Sequence, residues 1–328
     1  MNSRKNFYYA YYAISILLWG IYLYATFHSP IASADDPINK YKLTETATRQ
    51  IQLSIVIPIF IIWAFGAYAV YGLQKYVSLI KGTKEESGLS KICLGIAALL
   101  FSLPFNSAFG TIRTYYTPTI NPVDVLGVFP ALSRADVLMY LTIATNYLSV
   151  VFTVVPYALM FYGSWTLLKV LQLVGDFKKR LFFPIFSLVL AMFIYIMLFF
   201  LNPIRQTSSD ITIQPTYFLS DIVVLLTIVS PYIVAWGLGL LAALGMEVYK
   251  EKAIGIIYKA ALSKLAIGFM TIVSTSIFFQ IISTIGYKFA DWSIAAILLF
   301  VYGLVALISV GYVFFALGVR KLKKIETV

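Results

Sequence analysis

Eight long apolar segments, separated by polar or turn-forming stretches, dominate the pattern of the chain. A run of about 20 apolar residues is long enough to cross the hydrocarbon core of a bilayer as an α-helix. The segments lie at about residues 7–27, 51–73, 92–112, 137–165, 181–202, 219–245, 265–286 and 293–318. Turn-forming pairs such as Asn121-Pro122 and Asn202-Pro203 fall between them. The pattern predicts an all-α membrane protein with eight transmembrane helices.

Lysine and arginine are distributed unequally over the flanks of these segments. Counted alternately from the N-terminus, one set of flanks carries 18 of them and the opposite set carries 7. Because Lys and Arg are enriched in cytoplasmic loops, this asymmetry predicts that both termini are cytoplasmic. We therefore expect a multi-pass protein of the cell membrane. No segment resembles an organelle address, so we expect the inner membrane of a prokaryote.

The N-terminal segment has an alternative interpretation as a secretory signal. Arg4 and Lys5, the apolar run after them and Ala32-Ser33-Ala34 resemble a signal peptide with its cleavage site. The apolar run is, however, longer than that of a typical signal. The segment at residues 181–202 is also its counterpart in an internal repeat, so we interpret it as a membrane span.

The second and sixth segments share a motif with identical spacing. The motif occurs at Pro58, Trp63, Gly66 and Gly72 and again, at an offset of 173 residues, at Pro231, Trp236, Gly239 and Gly245. The fourth and eighth segments also agree, at an offset of 155, as at Tyr157 and Tyr312. Chance similarity between apolar segments would not keep Pro, Trp and Gly in register, so the sequence predicts a tandem duplication.

The duplication predicts two four-helix repeats, at residues 1–173 and 174–328. An insertion in an outer loop, at about residues 113–136, accounts for the change of offset. Because each repeat has an even number of spans, the repeats are parallel and related by a pseudo-two-fold axis along the membrane normal. Pro58 and Pro231 are predicted to kink their helices. The glycines beside them are predicted to allow close helix packing.

Uncharged polar residues lie within the predicted spans, whereas no Asp, Glu, Lys or Arg lies near the middle of any span. Ser276 and Gln280 share one helix face, as do Ser102 and Asn106. The candidate binding residues are Asn106, Asn146, Gln280, Ser102, Ser276 and Arg113. We interpret them as a polar cavity open to the outer side. The alternative is a set of hydrogen bonds, between helices or to their own backbone, that stabilise the bundle.

Composition excludes several kinds of chemistry. The chain is 12% charged, whereas soluble domains are about 25% charged. His28 and Cys93 are the single histidine and the single cysteine, too few for a metal site, a Cys/His nucleophile or a haem with two histidine ligands. The net charge of +11 arises at span ends, so we expect no nucleic-acid partner. We expect no enzyme activity, no cofactor and no metal.

Three functions fit this pattern. The duplication, the kinked helices and the polar stripe favour a permease or channel-like transport protein for a neutral or lipophilic solute. Tight small-residue faces and short loops also suit a structural or assembly subunit of a larger membrane complex, with membrane-protein partners or further copies of the chain. An intramembrane lipid-modifying enzyme is the third hypothesis, although the chain lacks acidic clusters and Ser/His or Cys/His pairs. The lipid bilayer is the expected partner in every case.

Overall fold

The computed structural model describes residues 2–28, 44–116, 134–200, 230–252, 256–289 and 294–325. Within these ranges the chain is helical and contains no strand, which confirms the predicted all-α class. The helices are α1 (Asn2–His28), α2 (Glu45–Leu79), α3 (Glu86–Tyr116), α4 (Arg134–Val170), α5 (Val174–Lys179), α6 (Phe182–Phe200), α7 (Ser230–Lys252), α8 (Ile256–Phe289) and α9 (Ile294–Ile325).

Several helices have the length and composition of membrane spans. The predicted apolar segments coincide with long helices wherever the structure describes them. Within the described residues, four helical segments are long and apolar enough to cross a membrane, namely Glu45–Leu79, Glu86–Phe105, Ile233–Lys252 and Leu298–Leu322. A shorter apolar stretch, Phe182–Phe193, lies in α6. A helical membrane protein is therefore supported, and the total of eight spans stays a prediction.

The chain forms two compact units, and aromatic side chains make the core of the first. This unit comprises Met1–Ile59 and Leu100–Phe152. The ring centroids of Phe105 and Phe152 are 4.5 Å apart, and the ring of Phe101 lies 5.4 Å from that of Phe152. Large rings provide most of the contact area in such a core. They bring α3 and α4 together in this unit.

The second unit comprises Phe60–Leu99 and Thr153–Val328. In it, α8 packs against both α7 and α9, and α7 also contacts α5 and α6. The Phe269 and Phe315 rings meet edge-on between α8 and α9, with centroids 5.0 Å apart. By contrast, α6 leaves Phe182 and Phe183 largely exposed. Exposed apolar side chains on a helix are expected where it faces lipid or another protein.

Helix α4 ends in a Schellman motif without a glycine. The Leu173 amide donates to the Leu168 carbonyl at 2.8 Å, and the Gln172 amide donates to the Lys169 carbonyl at 3.2 Å. These are the two hydrogen bonds that define the motif. Gln172 has a φ of 56°, in the left-handed region that glycine usually occupies at this position.

The substitution Gln172→Gly is expected to stabilise the protein by about 0.5–1 kcal/mol. A left-handed conformation costs an L residue about 1–2 kcal/mol, and the greater freedom of glycine in the unfolded chain offsets part of that gain. The exposed Gln172 side chain leaves room for the change. Thermal unfolding in detergent should show a higher midpoint for Gln172→Gly. Gln172→Ala, which keeps the Cβ, should leave the midpoint unchanged; a lower midpoint for the glycine variant would contradict the argument.

Candidate functional site

The candidate binding residues lie on three helices, α3, α4 and α8. Ser102 is buried on α3, with 8% of its surface exposed. The side chains of the other five fall outside the described part of the structure, namely Asn106, Asn146, Gln280, Ser276 and Arg113. The polar cavity predicted from the sequence therefore stays a prediction.

The first copy of the repeat motif lies on α2. Pro58 is inside this helix, where neighbouring helices can compensate for the hydrogen bond that proline removes. Trp63 is 7% exposed, and Gly66 and Gly72 are buried. The second copy lies on α7, where Pro231 stands in the first described turn.

Gly239 and Gly245, in the second copy, bring α7 close to two other helices. A Cβ on Gly239 would lie 2.6 Å from Val273 on α8 and 2.9 Å from Tyr157 on α4. A Cβ on Gly245 would lie 2.7 Å from the Ser164 Oγ on α4. Packed side chains do not tolerate such distances. Glycine therefore permits α7 to lie against α4, a helix that belongs to the other predicted repeat.

Helices α3 and α4 approach one another so closely that their backbones are in contact. A Cβ on Gly163 would lie 2.6 Å from the Gly88 carbonyl oxygen and 3.0 Å from the Ile92 nitrogen. A Cβ on Gly95 would lie 2.7 Å from the Pro156 carbonyl oxygen. Small residues allow this approach between membrane helices, where lipid supplies little hydrophobic drive for association.

Helices α8 and α9 form a second pair of the same kind. A Cβ on Gly268 would lie 2.8 Å from the Gly311 carbonyl oxygen. A Cβ on Gly318 would lie 3.1 Å from the Ala261 carbonyl oxygen and 3.0 Å from the Leu265 side chain. The backbones are again close, with slightly more room at Gly318.

The two helix pairs use residues at equivalent positions in the sequence. The α3 residues Gly88, Ile92 and Gly95 correspond, at the offset of 173, to the α8 residues Ala261, Leu265 and Gly268. Their partners Pro156 and Gly163 on α4 correspond, at the offset of 155, to Gly311 and Gly318 on α9. These are the same two offsets that predict the duplication from the sequence. Each of these contacts in the first pair therefore has its counterpart in the second.

A tyrosine–glutamate cluster lies at the basic end of the unit, which we define as the helix ends beside residues 75–91 and 247–264. Glu85 accepts hydrogen bonds from the Tyr249 hydroxyl at 2.6 Å and from the Tyr258 hydroxyl at 3.4 Å. The two hydroxyls are 3.2 Å apart. The Tyr76 ring centroid lies 6.4 Å from that of Tyr258. Burial raises the pKa of Tyr258, so its hydroxyl stays protonated and able to donate at neutral pH.

The members of this cluster are also counterparts of one another. Tyr76 and Tyr249 are 173 residues apart, as are Glu85 and Tyr258. The Tyr249–Glu85 pair and the Tyr76–Tyr258 pair therefore occupy equivalent positions of the predicted repeats, the first as a hydrogen bond and the second as a ring contact. The sequence alone shows that Tyr76 corresponds to Tyr249. It does not single out Glu85, because the residue at the corresponding position, Tyr258, is a tyrosine.

An ion pair ties α7 to the connection between α5 and α6 at the same end. Both terminal nitrogens of Arg180 donate to the Glu251 carboxylate, at 2.6 and 2.7 Å. This paired geometry is more specific than a single lysine contact, although both side chains are exposed by about two-fifths and contribute modestly to stability.

The described residues show no metal site that would account for these contacts, and no known protein family matches the chain. Among the described residues, no group of three or more His, Cys, Asp or Glu side chains is placed to hold a metal ion. Comparison of the chain with protein-family models, curated proteins and solved structures gives no match.

Proposed function

We propose that this chain is a multi-pass membrane transport protein, a permease or channel-like pore, for a neutral or lipophilic solute. It would consist of two parallel four-helix repeats, residues 1–173 and 174–328. The observation that carries the proposal is the matched packing of α3 on α4 and of α8 on α9. Parallel repeats related by an axis along the membrane normal occur in transporter families, where one repeat moves against the other.

Two kinds of contact in the second unit suit such a movement. The glycine-mediated pairs place backbone against backbone, as at Gly163 and Gly268, so sliding one helix past the other would create clashes. Each pair is therefore expected to move as a rigid body. The contacts of Glu85 with Tyr249 and Tyr258 are hydrogen bonds of a part-buried carboxylate, which water can replace when they break.

The charge distribution supports an orientation for these repeats. With both termini in the cytoplasm, the basic end becomes the cytoplasmic end, and Arg113 lies towards the outside. We place the protein in the cell membrane, by default the inner membrane of a prokaryote. The absence of ionisable residues near the middle of the predicted spans supports a neutral solute, since a charged one would need a partner at membrane depth.

Cysteine labelling of intact cells tests this proposal. The native Cys93 is buried, and Cys93→Ala provides a background without thiols. In that background Asn106→Cys, Asn146→Cys and Gln280→Cys are each expected to react with a membrane-impermeant thiol reagent added outside, because a water-filled cavity permits thiolate formation. Lys84→Cys, at the basic end, should react only after the membrane is permeabilised.

Leu299→Cys is the matched control for these variants. Leu299 is 77% exposed on α9, so a thiol there faces lipid and should react slowly under both conditions. If Asn106→Cys, Asn146→Cys and Gln280→Cys all react with the reagent as slowly as Leu299→Cys, the transport proposal is wrong. If Lys84→Cys reacts from outside, the proposed orientation is wrong.

The assembly-subunit hypothesis is favoured by one specific surface. Helix α6 exposes a run of aromatic side chains, Phe182, Phe183, Phe186 and Phe193. Aromatic residues are enriched in the buried centres of protein interfaces. A protein that co-purifies at fixed stoichiometry after gentle extraction, together with unreactive cavity cysteines, would support this second function.

A further inference from the structure

We infer that the tyrosine–glutamate cluster (Tyr76, Glu85, Tyr249 and Tyr258) joins the two repeats at the basic end and must open before a solute can pass there. The role in transport rests on the proposed function. The role as a joint rests on the proposed duplication and on the contacts among these four residues. Both can be tested separately.

The reciprocal contacts place this cluster on the pseudo-two-fold axis. A two-fold rotation relating the proposed repeats would exchange Tyr76 with Tyr249 and Glu85 with Tyr258, since the residues of each pair are 173 positions apart. It therefore relates the Tyr249–Glu85 pair, joined by a 2.6 Å hydrogen bond, to the Tyr76–Tyr258 pair, whose ring centroids are 6.4 Å apart. Two surfaces meet reciprocally in this way only where they face each other across the axis, as in a symmetric dimer interface.

Glu85 and its counterpart Tyr258 differ in chemistry, and this difference determines how the two repeats interact at the joint. Two glutamates facing each other across an axis would repel. The second repeat carries Tyr258 at that position, so one carboxylate receives two phenolic donors instead. Hydrogen bonds to an ionised acceptor are stronger than those between neutral groups. The departure from symmetry thus converts a repulsive pair into an attractive one.

The contact between α7 and α4 provides a way to detect opening of this joint. Ser164 on α4 is 1% exposed and lies against Gly245 on α7, where a Cβ would be 2.7 Å from its Oγ. The Ser164 hydroxyl donates its single proton to the Phe161 carbonyl of its own helix, so it has no proton to donate to α7. Separation of the repeats at the basic end would expose this position to water.

The test uses Ser164→Cys as a reporter in the Cys93→Ala background. Inside-out membrane vesicles expose the basic end to an impermeant maleimide, and the labelling rate is measured with and without Tyr249→Phe. That substitution removes only the hydroxyl that donates to Glu85. We expect the rate to rise about tenfold, since losing a hydrogen bond to a charged group shifts a two-state equilibrium by at least that factor.

Tyr162→Phe is the matched control. Tyr162 lies on the same helix as the reporter and is 55% exposed, with the Lys91 ammonium 4.2 Å from its ring centroid. Removal of this hydroxyl keeps the ring and should leave the labelling rate unchanged. Glu85→Gln retains an acceptor and should give an intermediate rate. An unchanged rate for Tyr249→Phe, in a variant that elutes as a folded protein in detergent, overturns the inference.

Tyr258→Phe is measured in parallel, because a Tyr249→Phe variant that fails to fold would give no labelling rate to compare. It removes the longer of the two hydrogen bonds to Glu85 and should raise the rate less than Tyr249→Phe. A lower melting temperature for both variants without faster labelling in the vesicles would indicate a purely structural contact and would also overturn the inference.

Outside labelling of Gln280→Cys separates this inference from the proposed function. If Tyr249→Phe raises labelling of Ser164→Cys and lowers outside labelling of Gln280→Cys, both the joint and alternating access are supported. If the Ser164 reporter responds but Gln280→Cys, Asn106→Cys and Asn146→Cys never react from outside, the joint is supported and the transport function is wrong. If Gln280→Cys reacts but the Ser164 reporter does not respond, the joint is wrong and the transport function stands.

Discussion

Gly163→Ala is expected to lower the free energy of unfolding by about 2–3 kcal/mol, towards the upper end of the usual cost of overpacking. The added Cβ would lie 2.6 Å from the Gly88 oxygen and 3.0 Å from the Ile92 nitrogen. Both are backbone atoms, so no change of rotamer can relieve the clash, and α3 and α4 must separate. Separation also loses the dispersion contacts along the whole pair, which are the main attraction between membrane helices.

Two glycines of α9 provide matched controls for this prediction. At Gly318, the counterpart of Gly163, the nearest atoms would be 3.0 and 3.1 Å away, so Gly318→Ala should cost only about 1 kcal/mol. Nothing lies within 4 Å of a Cβ on Gly303, and Gly303→Ala should stabilise the helix by about 0.5–1 kcal/mol. Unfolding by sodium dodecyl sulfate in mixed micelles measures all three. Equal losses of stability for Gly163→Ala and Gly318→Ala would show that the backbone clearance does not determine how much stability is lost.

The difference between these equivalent glycines also bears on the proposed duplication. The first pair has Gly88 where the second has Ala261. The methyl group of an alanine holds the facing backbone further away, in agreement with the greater clearance at Gly318. Two copies of one packing arrangement would diverge in this way when contact residues change, as from Gly88 to Ala261, because close-packed contacts respond to even one methylene.

Much of the fold could be predicted from the sequence because its signals are local. An apolar run of sufficient length identifies a spanning helix whatever surrounds it. The match of Gly163 with Gly318 was likewise visible as a spacing. The sequence did not show that these glycines contact α3 and α8. A spacing gives the position of a residue along its own helix but does not identify the helix that the residue faces. The same holds for Gly245, whose partner Ser164 lies on α4.

The candidate site was less predictable for a physical reason. Asn, Gln, Ser and Thr in a membrane helix serve equally as cavity lining and as interhelical hydrogen-bond partners, so residue type alone does not separate these roles at Asn106 or Gln280. The cluster around Glu85 was not predicted, because a carboxylate at a helix end is usually a solvated residue with no partner. Its tyrosine donors come from α7 and α8, and only the tertiary structure brings them together.

Phe315→Ala is expected to destabilise the protein by about 3 kcal/mol, at the low end of the range for a buried phenylalanine. Phe315 on α9 is fully buried, and its ring meets the Phe269 ring of α8 edge-on, with centroids 5.0 Å apart. In a membrane protein the loss arises mainly from the cavity and the missing dispersion contacts, because lipid solvates an exposed ring in place of water.

Leu299→Ala is the control for this substitution, since Leu299 on the same helix is 77% exposed and its truncation should change stability by less than about 0.5 kcal/mol. A double-mutant cycle with Phe269→Ala should give a coupling of about 0.5–1.5 kcal/mol, the usual range for an edge-on aromatic pair. If Phe315→Ala costs no more than Leu299→Ala, α8 and α9 do not pack in the membrane as they do here. The proposal that they repeat the pairing of α3 and α4 would then lose its structural basis.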